Sequence, residues 1–292
     1  MPVERSFTES DLATLREVAV TVAREAATHV RARRGELFGP PGSDDGGSVR
    51  TKSSHTDPVT VADTESEDLI RARLRELRPE DAFLGEESGG SQVTGTGASG
   101  VRWVVDPIDG TVNFVYGIPA SAVSVAAQVD GRSIAGAVVD IASGDIYAAA
   151  EGAGATLTDA SGEVTTLRCN PVTDLQLSLV ATGFSYTPAR RAHQGAIVAA
   201  LLPRVRDIRR IGAAALDLCM VAAGRVDAHY EHGLNPWDWA AGALVAREAG
   251  AVVRLPEGFG DVGEVTVAAA PGIAVAFDDL LAELGANHNA PN

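Results

Sequence analysis

The chain has 292 residues, of which 45% are hydrophobic and 22% are charged, and its formal net charge is −15. This composition is typical of a folded globular protein long enough for two lobes, and the acidic balance argues against a nucleic-acid partner. An acidic surplus also suits a protein that binds divalent cations, although many globular proteins are simply acidic.

Cysteine use and hydropathy bear on the cellular compartment. The two cysteines, Cys169 and Cys219, lie far apart and outside any CxxC or Cys/His motif, which argues against a disulfide framework or structural zinc. The first residues, MPVERSFTES, do not resemble a signal peptide. No apolar run approaches the roughly 18 residues that a membrane span needs. We therefore expect a cytoplasmic protein with no membrane partner.

The first predicted element is a long helix. Apolar residues recur at helical spacing over 9–34, which predicts an amphipathic helix. Either Thr8 or Ser10 can cap its start, and Gly35 is expected to end it.

A second helix is predicted over 64–78. Thr64 and Glu67 have the spacing of a capping box and precede the sequence LIRARLREL. The glycine-rich segments 39–48 and 89–100 are predicted to be loops.

The sequence changes texture about halfway along the chain. Residues 121–157 are apolar and β-branched, and Asp-Gly and Ser-Gly-Asp turns interrupt them, which predicts an antiparallel meander. After about residue 163, helices alternate with short apolar strands. We therefore predict an α+β lobe over 1–163 and an α/β lobe over 164–292.

The segment WVVDPIDGTVNF ends an apolar strand with two aspartates. Pro107 removes a backbone donor and should bend the chain, so that Asp106 and Asp109 project from a tight turn. Gly110 lets a ligand approach the backbone, and Thr111 can begin a helix whose free amides favour an anion. Two carboxylates at one turn are ordinarily neutralised by a hard divalent cation. The alternative is a plain strand-to-helix turn in which Asp109 is a cap.

Other carboxylates could complete such a site. Glu86 and Glu87 follow the apolar AFL, although a solvated acidic loop is the commoner outcome for such a sequence. Asp238 lies between two tryptophans at the start of an apolar helix, where it can be either a cap or a cation ligand. For Asp63, in a polar stretch that also contains Lys52, a role at the start of a helix is favoured over direct ligation.

Histidines add little to this pattern. His229 and His232 flank Glu231, and we interpret both as pocket-rim or surface residues and not as metal ligands. Carboxylates without a histidine cluster favour Mg²⁺ or Mn²⁺ over zinc.

Four motifs in register resemble the inositol monophosphatase family, and the likeness extends over nearly the whole chain. The segment IRRIGAAALDLCMVAAGRVDAHYEHGLNPWD is especially similar to the bacterial inositol-1-monophosphatase branch. The motifs are Lys52-x4-Asp57-x-Val59-Thr60-x2-Asp63, Gly85-Glu86-Glu87-Ser88, Asp106-Pro107-Ile108-Asp109-Gly110-Thr111-x-Asn113-Phe114 and Trp237-Asp238-x-Ala240-Ala241-Gly242.

The resemblance implies both a fold and a cofactor. The expected fold, of mixed α+β and α/β character, is the five-layered αβαβα sandwich of inositol monophosphatases and fructose-1,6-bisphosphatases. The expected protein is a Mg²⁺-dependent, lithium-sensitive phosphatase that forms a homodimer. It would hold two or three Mg²⁺ ions per site, and Mn²⁺ could replace them.

The resemblance also implies a set of metal ligands. Glu86, Asp106 and the Ile108 carbonyl would hold the first ion, and Asp106, Asp109 and Asp238 would hold the second. Further roles follow by position in the motifs: Glu87 and Asp63 would lie in the outer shell or hold a third metal, and Lys52 would offset the negative charge.

On the substrate side, the amides of Asp109, Gly110 and Thr111 would hold the phosphate. Glu231 and the backbone around Gly212 and Ala214 would hold polyol hydroxyls. Either Arg209 or Arg210 would lie at the rim. The implied substrate-binding residues, with Arg209 chosen for the rim, are Asp109, Gly110, Thr111, Arg209, Gly212, Ala214, Glu231 and Asp238.

The chain departs from the family pattern at two positions on the substrate side. Ala213 replaces a serine or threonine, and Phe184 occupies a place that is polar in animal enzymes. Both departures bear on the choice of substrate.

The resulting hypothesis is hydrolysis of a phosphate monoester, preferably myo-inositol 1-phosphate, by in-line attack of a metal-activated water. Glu86, Thr111 and Asp109 are the expected catalytic residues. The alternatives are a phosphatase of the same fold acting on fructose 1,6-bisphosphate, histidinol phosphate or 3′-phosphoadenosine 5′-phosphate, and a regulatory binding protein that retains the site.

Overall fold

The computed structural model describes residues 7–38, 49–51, 58–88, 97–256 and 264–287. Over these residues the chain forms seven α-helices and fourteen strands. The helices are α1 (Glu9–Phe38), α2 (Val61–Leu77), α3 (Thr111–Tyr116), α4 (Pro188–Leu201), α5 (Ala214–Ala222), α6 (Pro236–Glu248) and α7 (Ala274–Glu283). The strands are β1 (Val49–Thr51), β2 (Pro58–Thr60), β3 (Ala82–Gly85), β4 (Arg102–Asp109), β5 (Ala122–Val129), β6 (Arg132–Asp140), β7 (Ile146–Ala150), β8 (Ala155–Thr158), β9 (Val164–Thr166), β10 (Leu179–Thr182), β11 (Asp207–Arg209), β12 (Ala228–His232), β13 (Val252–Arg254) and β14 (Val265–Ala269).

The first large sheet has the strand order β3-β4-β5-β6-β7-β8-β9. β3 and β4 pair in parallel, and the remaining neighbours are antiparallel. Asp130 and Gly131 both have positive φ, 50° and 81°, as a tight two-residue hairpin turn requires. The predicted meander over 121–157 is therefore confirmed, since β5 to β8 follow one another by antiparallel pairing.

The second large sheet has the order β11-β10-β12-β14-β13. β10 lies between two parallel neighbours, whereas β12, β14 and β13 pair antiparallel. Strands β1 and β2 form a separate antiparallel pair. The predicted division into lobes at residue 163 stays a prediction, and β9 carries the first sheet past that boundary.

Five layers result from the way the helices cover these sheets. Helices α1 and α2 pack on one face of the first sheet, and α5 and α6 lie between the two sheets. Helices α4 and α7 cover the outer face of the second sheet. The αβαβα architecture is thus confirmed. Among the described residues, no helix is long and apolar enough to span a membrane.

The predicted bounds of the first helix were partly wrong. Thr8 is the cap: its hydroxyl oxygen accepts a bond from the Asp11 amide, and its own amide donates to the Asp11 carboxylate. The helix does not end at Gly35. It continues to Phe38, because Phe38 packs edge-on against Phe114 and so gains core contacts that a helix ending at Gly35 would lose.

The predicted capping box of the second helix was wrong as well. The cap is Thr60, whose hydroxyl accepts from the Ala62 amide, while the Asp63 carboxylate accepts from the Thr60 amide. The Thr64–Glu67 pair has the same spacing one turn later, but Glu67 makes other contacts. The predicted loop at 39–48 and the first part of the one at 89–100 lie outside the described residues.

Candidate active site

A cavity of about 230 Å³ lies at the ends of β3, β4 and β12 and at the starts of α3, α5 and α6. It brings together side chains and backbone from both halves of the chain. The predicted site residues that line it are Glu86, Asp106, Ile108, Asp109, Gly110, Thr111, Gly212, Ala214, Glu231 and Asp238. Lys52 lies outside the described residues.

One wall of the cavity is the end of β4. Pairing with β5 is interrupted between Asp106 and Asp109, as expected where Pro107 supplies no backbone donor. Both aspartates are nevertheless buried, with 1% and 8% of their surfaces exposed. The Ile108 amide donates to Asp106 Oδ1 at 3.0 Å, which fixes one carboxylate against its own turn.

Gly110 makes this turn possible. Its φ is +85°, in the left-handed region that glycine adopts most readily. A Cβ atom there would stand 2.9 Å from the Ala120 carbonyl and 3.0 Å from the Gly212 carbonyl. Gly110 therefore lets the end of β4 lie directly against the segment that precedes α5.

Asn113 joins the same two segments. Its side-chain amide donates to the Ala120 and Ile211 carbonyls, both at 2.8 Å. Helix α3 is thereby tied to the chain that leads into α5. This contact was not predicted, since nothing in the sequence links Asn113 to the second half of the chain.

Asp109 caps a helix, but not the one that follows it. Its carboxylate accepts bonds from the Ala214 amide at 3.2 Å and the Ala215 amide at 2.7 Å, at the start of α5. The Ala214 amide, predicted to face substrate hydroxyls, is thus already bonded to protein. The amide donors hold Asp109 in place across the two halves of the chain.

Thr111 and Asp63 meet beneath the turn. The Thr111 hydroxyl lies 3.0 Å from Asp63 Oδ1 and 3.0 Å from the Ile108 carbonyl oxygen, and it can donate a hydrogen bond to either oxygen. The predicted role of Asp63 as a helix-start residue is confirmed by its capping bonds at the start of α2. The same carboxylate therefore supports both a helix and the hydroxyl that faces the cavity.

Glu86 reaches the cavity from a turn that Glu67 holds. The buried Glu67 carboxylate accepts a bond from the Glu87 amide at 2.7 Å and another from the Ser88 hydroxyl, and it pairs with Arg71. A Cβ atom at Gly85 would overlap this carboxylate. Of the two predicted glutamates, Glu86 lines the cavity and Glu87 is not among its lining residues.

Asp238 comes from the second half of the chain, in the first turn of α6. Its carboxylate accepts a bond of 2.6 Å from the Asn235 amide, which makes it a cap as well as a cavity residue. The observed position therefore allows Asp238 to cap the helix and to contact a cation in the cavity at the same time.

Burial sets the electrostatics of this acidic wall. Desolvation, together with the negative charge of Glu86, raises the pKa of Asp109 to about 7, although the bonds from the Ala215 and Ala214 amides oppose the shift. Desolvation also raises the pKa of Asp238 well above its usual range, with Glu86 and Asp109 adding to the effect. Carboxylates that oppose one another's ionisation favour a bound cation, and a donor set of carboxylate and carbonyl oxygens fits Mg²⁺ or Mn²⁺.

A second wall of the cavity carries Glu231 and an arginine. Arg210 lines the cavity, with its guanidinium 5.9 Å from the centre of the Phe184 ring. Arg209 was predicted for this wall, but it is exposed and pairs with Asp207 at 2.6 Å. Adjacent residues in extended chain point to opposite sides, which explains why Arg210 and not Arg209 reaches the cavity.

Glu231 fits closely against its neighbours. A Cβ atom at Gly183 would overlap its carboxylate, so glycine at that position leaves room for it. Desolvation raises the pKa of Glu231 to about 7, although Arg210 opposes the shift.

The two histidines beside Glu231 are not surface residues. His232 is buried, lines the cavity, and donates from Nε2 to the Ala286 carbonyl at 2.7 Å. His229 is fully buried, because alternation along β12 turns it inward beside Glu231. Of the described residues, Asp217, His229 and Glu231 are the group whose potential ligand atoms all lie within 4.8 Å of one another.

Comparison with known proteins gives a consistent result. Residues 11–289 match the sequence model of the inositol monophosphatase family. The chain is 59% identical over 280 residues to the inositol-1-monophosphatase of Mycobacterium leprae, which covers 94% of this chain and 95% of that one. It is 40% identical over 204 residues to the Nus factor SuhB of Escherichia coli, or 70% of this chain and 73% of that one. The structure of Mycobacterium tuberculosis SuhB superposes with a TM-score of 0.79 at 49% identity, over 94% of this chain and 98% of that one.

Proposed function

This chain belongs to the inositol monophosphatase family and is a phosphatase, and we propose that it hydrolyses myo-inositol 1-phosphate and related polyol phosphates with Mg²⁺ as cofactor. One observation carries the proposal. A single cavity has an acidic wall of Glu86, Asp106, Asp109 and Asp238 and a second wall that carries the carboxylate of Glu231. The first wall suits metal ions and a phosphate, and the second suits hydroxyl groups.

Two Mg²⁺ ions, or two Mn²⁺ ions, fit the oxygen donors of the acidic wall. Glu86, Asp106 and the Ile108 carbonyl would hold one, and Asp106, Asp109 and Asp238 would hold the other. Bound there, such ions would supply a reactive water at neutral pH and neutralise charge on the phosphate. A third ion beside Glu87 stays a prediction.

Thr111, Glu86 and Asp63 would control the attacking water. Because the Thr111 hydroxyl can donate its proton to Asp63, its oxygen is available to accept a hydrogen bond from a water in the cavity. Glu86 offers a second acceptor. Both acceptors would orient the water, and the Glu86 carboxylate would take up its proton as the water attacks phosphorus in line with the leaving alkoxide.

The remaining cavity residues would position the substrate. The backbone amides of Asp109, Gly110 and Thr111 would contact the phosphate at the start of α3. Glu231 would accept hydrogen bonds from polyol hydroxyls, and the Gly212 backbone would add a further contact. Arg210, stacked near Phe184, would take the rim position.

A phosphate-release panel tests this proposal. The substrates are myo-inositol 1-phosphate, fructose 1,6-bisphosphate, histidinol phosphate and 3′-phosphoadenosine 5′-phosphate, each with Mg²⁺ and with a chelator. We expect the highest kcat/KM for inositol phosphate, and no turnover after chelation. Full activity in chelator would contradict the metal assignment, and a preference for another substrate would replace the polyol assignment.

A second candidate function is binding to a protein partner, which the name of the Escherichia coli relative favours. The test replaces the wild-type protein in cells with the Asp109→Asn variant, once this variant is shown to be inactive, and measures whether the cells still grow as the wild type does. A chain that acts only by binding would tolerate this substitution fully. The expected homodimer, the lithium sensitivity and the cytoplasmic location all stay predictions.

A further inference from the structure

A second polar group lies behind the substrate wall and takes no part in the chemistry described above. His229 and Glu231 are two residues apart on β12, so both side chains point to the face that packs on α5. Asp217 projects from the first turn of α5 toward the same place. From the core to the cavity, the order of the three residues is Asp217, His229 and Glu231.

The two inner members of this group are buried without hydrogen bonds. Asp217 is 1% exposed and His229 is 0% exposed. Neither carboxylate oxygen of Asp217 and neither ring nitrogen of His229 has a hydrogen-bond partner among the described residues. Buried polar groups are ordinarily paired, so this exception requires an explanation.

The orientation of the imidazole indicates which partners it serves. Its Nδ1 lies 3.8 Å from Asp217 Oδ2, whereas its Nε2 lies 3.9 Å from Glu231 Oε2. A metal ion would take one ring nitrogen and draw both carboxylates toward it. Here each nitrogen faces a different carboxylate, which favours a chain of hydrogen bonds over a metal site.

Both distances exceed a hydrogen bond, by roughly 1 Å. Hydrogen bonds in an enzyme site are often long before substrate binds and shorten in the complex. The surroundings allow this adjustment, because the cross-strand neighbours of His229 are the small residues Ala181 and Ala268.

The charges of the group suggest a direction for the chain. Desolvation raises the pKa of Asp217 well above its usual range, and it lowers the pKa of His229 to about 3. Asp217 as a neutral acid can donate to Nδ1, and neutral His229 can then donate from Nε2–H to Glu231. The single negative charge would rest on Glu231, which faces the cavity.

We propose that Asp217 and His229 form an oriented hydrogen-bond chain that holds the Glu231 carboxylate in place and thereby selects substrates with neighbouring hydroxyl groups. This inference rests on the proposed function, in which Glu231 contacts a polyol. Asp217 and His229 are positioning residues, since they act only through Glu231.

The test compares two substrates in four proteins. Myo-inositol 1-phosphate offers hydroxyls to Glu231, whereas p-nitrophenyl phosphate offers none. Asp217→Leu and His229→Phe each remove the chain, while Asp217→Asn keeps an N–H donor toward Nδ1 and is the matched control. We expect the first two variants to raise KM for inositol 1-phosphate about tenfold, the size of one lost hydrogen bond to a charged group. Their kcat and all constants for p-nitrophenyl phosphate should stay unchanged, and Asp217→Asn should behave as the wild type does.

Four results would overturn the inference. Equal losses on both substrates, with a lower unfolding temperature, would indicate a purely structural role. An Asp217→Asn variant as impaired as Asp217→Leu would indicate an ionised carboxylate or a metal ligand. A wild-type preference for inositol phosphate that survives in all variants would overturn this inference alone, whereas the absence of any preference in the wild type would overturn the proposed function together with it.

Discussion

The two walls of the cavity differ in what holds their carboxylates. On the metal side, Asp109 accepts amide bonds from the start of α5 and Asp238 accepts one from Asn235. On the hydroxyl side, the Asp217 carboxylate has no hydrogen-bond partner among the described residues. Backbone amides thus hold two of the proposed metal ligands, Asp109 and Asp238, whereas the proposed support of Glu231 comes from side chains. Substitutions on the two walls should therefore affect different constants.

The largest effect is expected for Asp109→Asn. It removes a charge from the proposed metal site and leaves one acceptor oxygen for the Ala214 and Ala215 amides, so kcat/KM should fall by roughly 10³-fold and the unfolding temperature should also fall. Phosphate release and thermal unfolding measure the two quantities. The matched control is Asp140→Asn, because Asp140 also accepts two backbone amides, at an exposed turn. Near-full Mg²⁺-dependent activity in Asp109→Asn would remove this residue from the metal site.

Thr111→Ala should have the next largest effect. Loss of the hydroxyl that donates to Asp63 should lower kcat by about 10²-fold, as for a general-base contact, with little change in Mg²⁺ affinity. Single-turnover kinetics and calorimetric Mg²⁺ titration separate the two. Thr111→Ser keeps the hydroxyl and should retain most of the rate; an equally slow serine variant would mean that the methyl group and not the hydroxyl matters.

Glu67→Ala changes a residue outside the cavity that holds the turn carrying Glu86. Because Glu67 holds the turn that carries Glu86, its loss should weaken Mg²⁺ binding by about 10-fold or more. Calorimetric titration of Mg²⁺ measures this without turnover. Asp68→Ala, on the next residue of α2 and largely exposed, is the control. Equal Mg²⁺ affinities in the two variants would show that the turn carrying Glu86 keeps its conformation without Glu67.

The smallest effect concerns pH. Since the folded-state pKa of Asp109 is raised to about 7, its contribution to metal-free stability is full below its ordinary pKa and is lost as pH rises through about 7. Mg²⁺ binds the ionised form, so the gain in unfolding temperature on adding Mg²⁺ should be larger at about pH 8 than at about pH 5. Scanning calorimetry at both values checks this, and an equal gain would mean that the acidic wall is ionised throughout.

The sequence anticipates the acidic wall better than it anticipates the other wall. The Asp-Pro-Ile-Asp-Gly-Thr turn uses local geometry, so its spacing alone places Asp106, Asp109 and Thr111 together. The hairpin at Asp130-Gly131 is equally local. The links from Asp109 and Asn113 to the start of α5 depend on how two distant segments dock, and periodicity does not contain that information.

The errors have a similar origin. Thr60–Asp63 and Thr64–Glu67 both fit a capping box, and only tertiary contact with the Glu87 amide assigns Glu67 elsewhere. Arg209 and Arg210 are neighbours in extended chain, so their side chains face opposite sides and only Arg210 reaches the cavity. The burial of His229 depends on helix α5, which packs against β12 and lies elsewhere in the sequence.

Helix α6 lies between the two sheets and carries Asp238, and this has a consequence for how the protein is made. A ribosome synthesises Glu86, Asp106 and Asp109 early, but Asp238 only after most of the chain has emerged. Because α6 packs against β5 and β6 of the first sheet as well as against the second sheet, Asp238 reaches the other three carboxylates only when α6 has docked between the sheets. A partly synthesised chain that ends before α6 would therefore lack one of the four carboxylates of the proposed metal site.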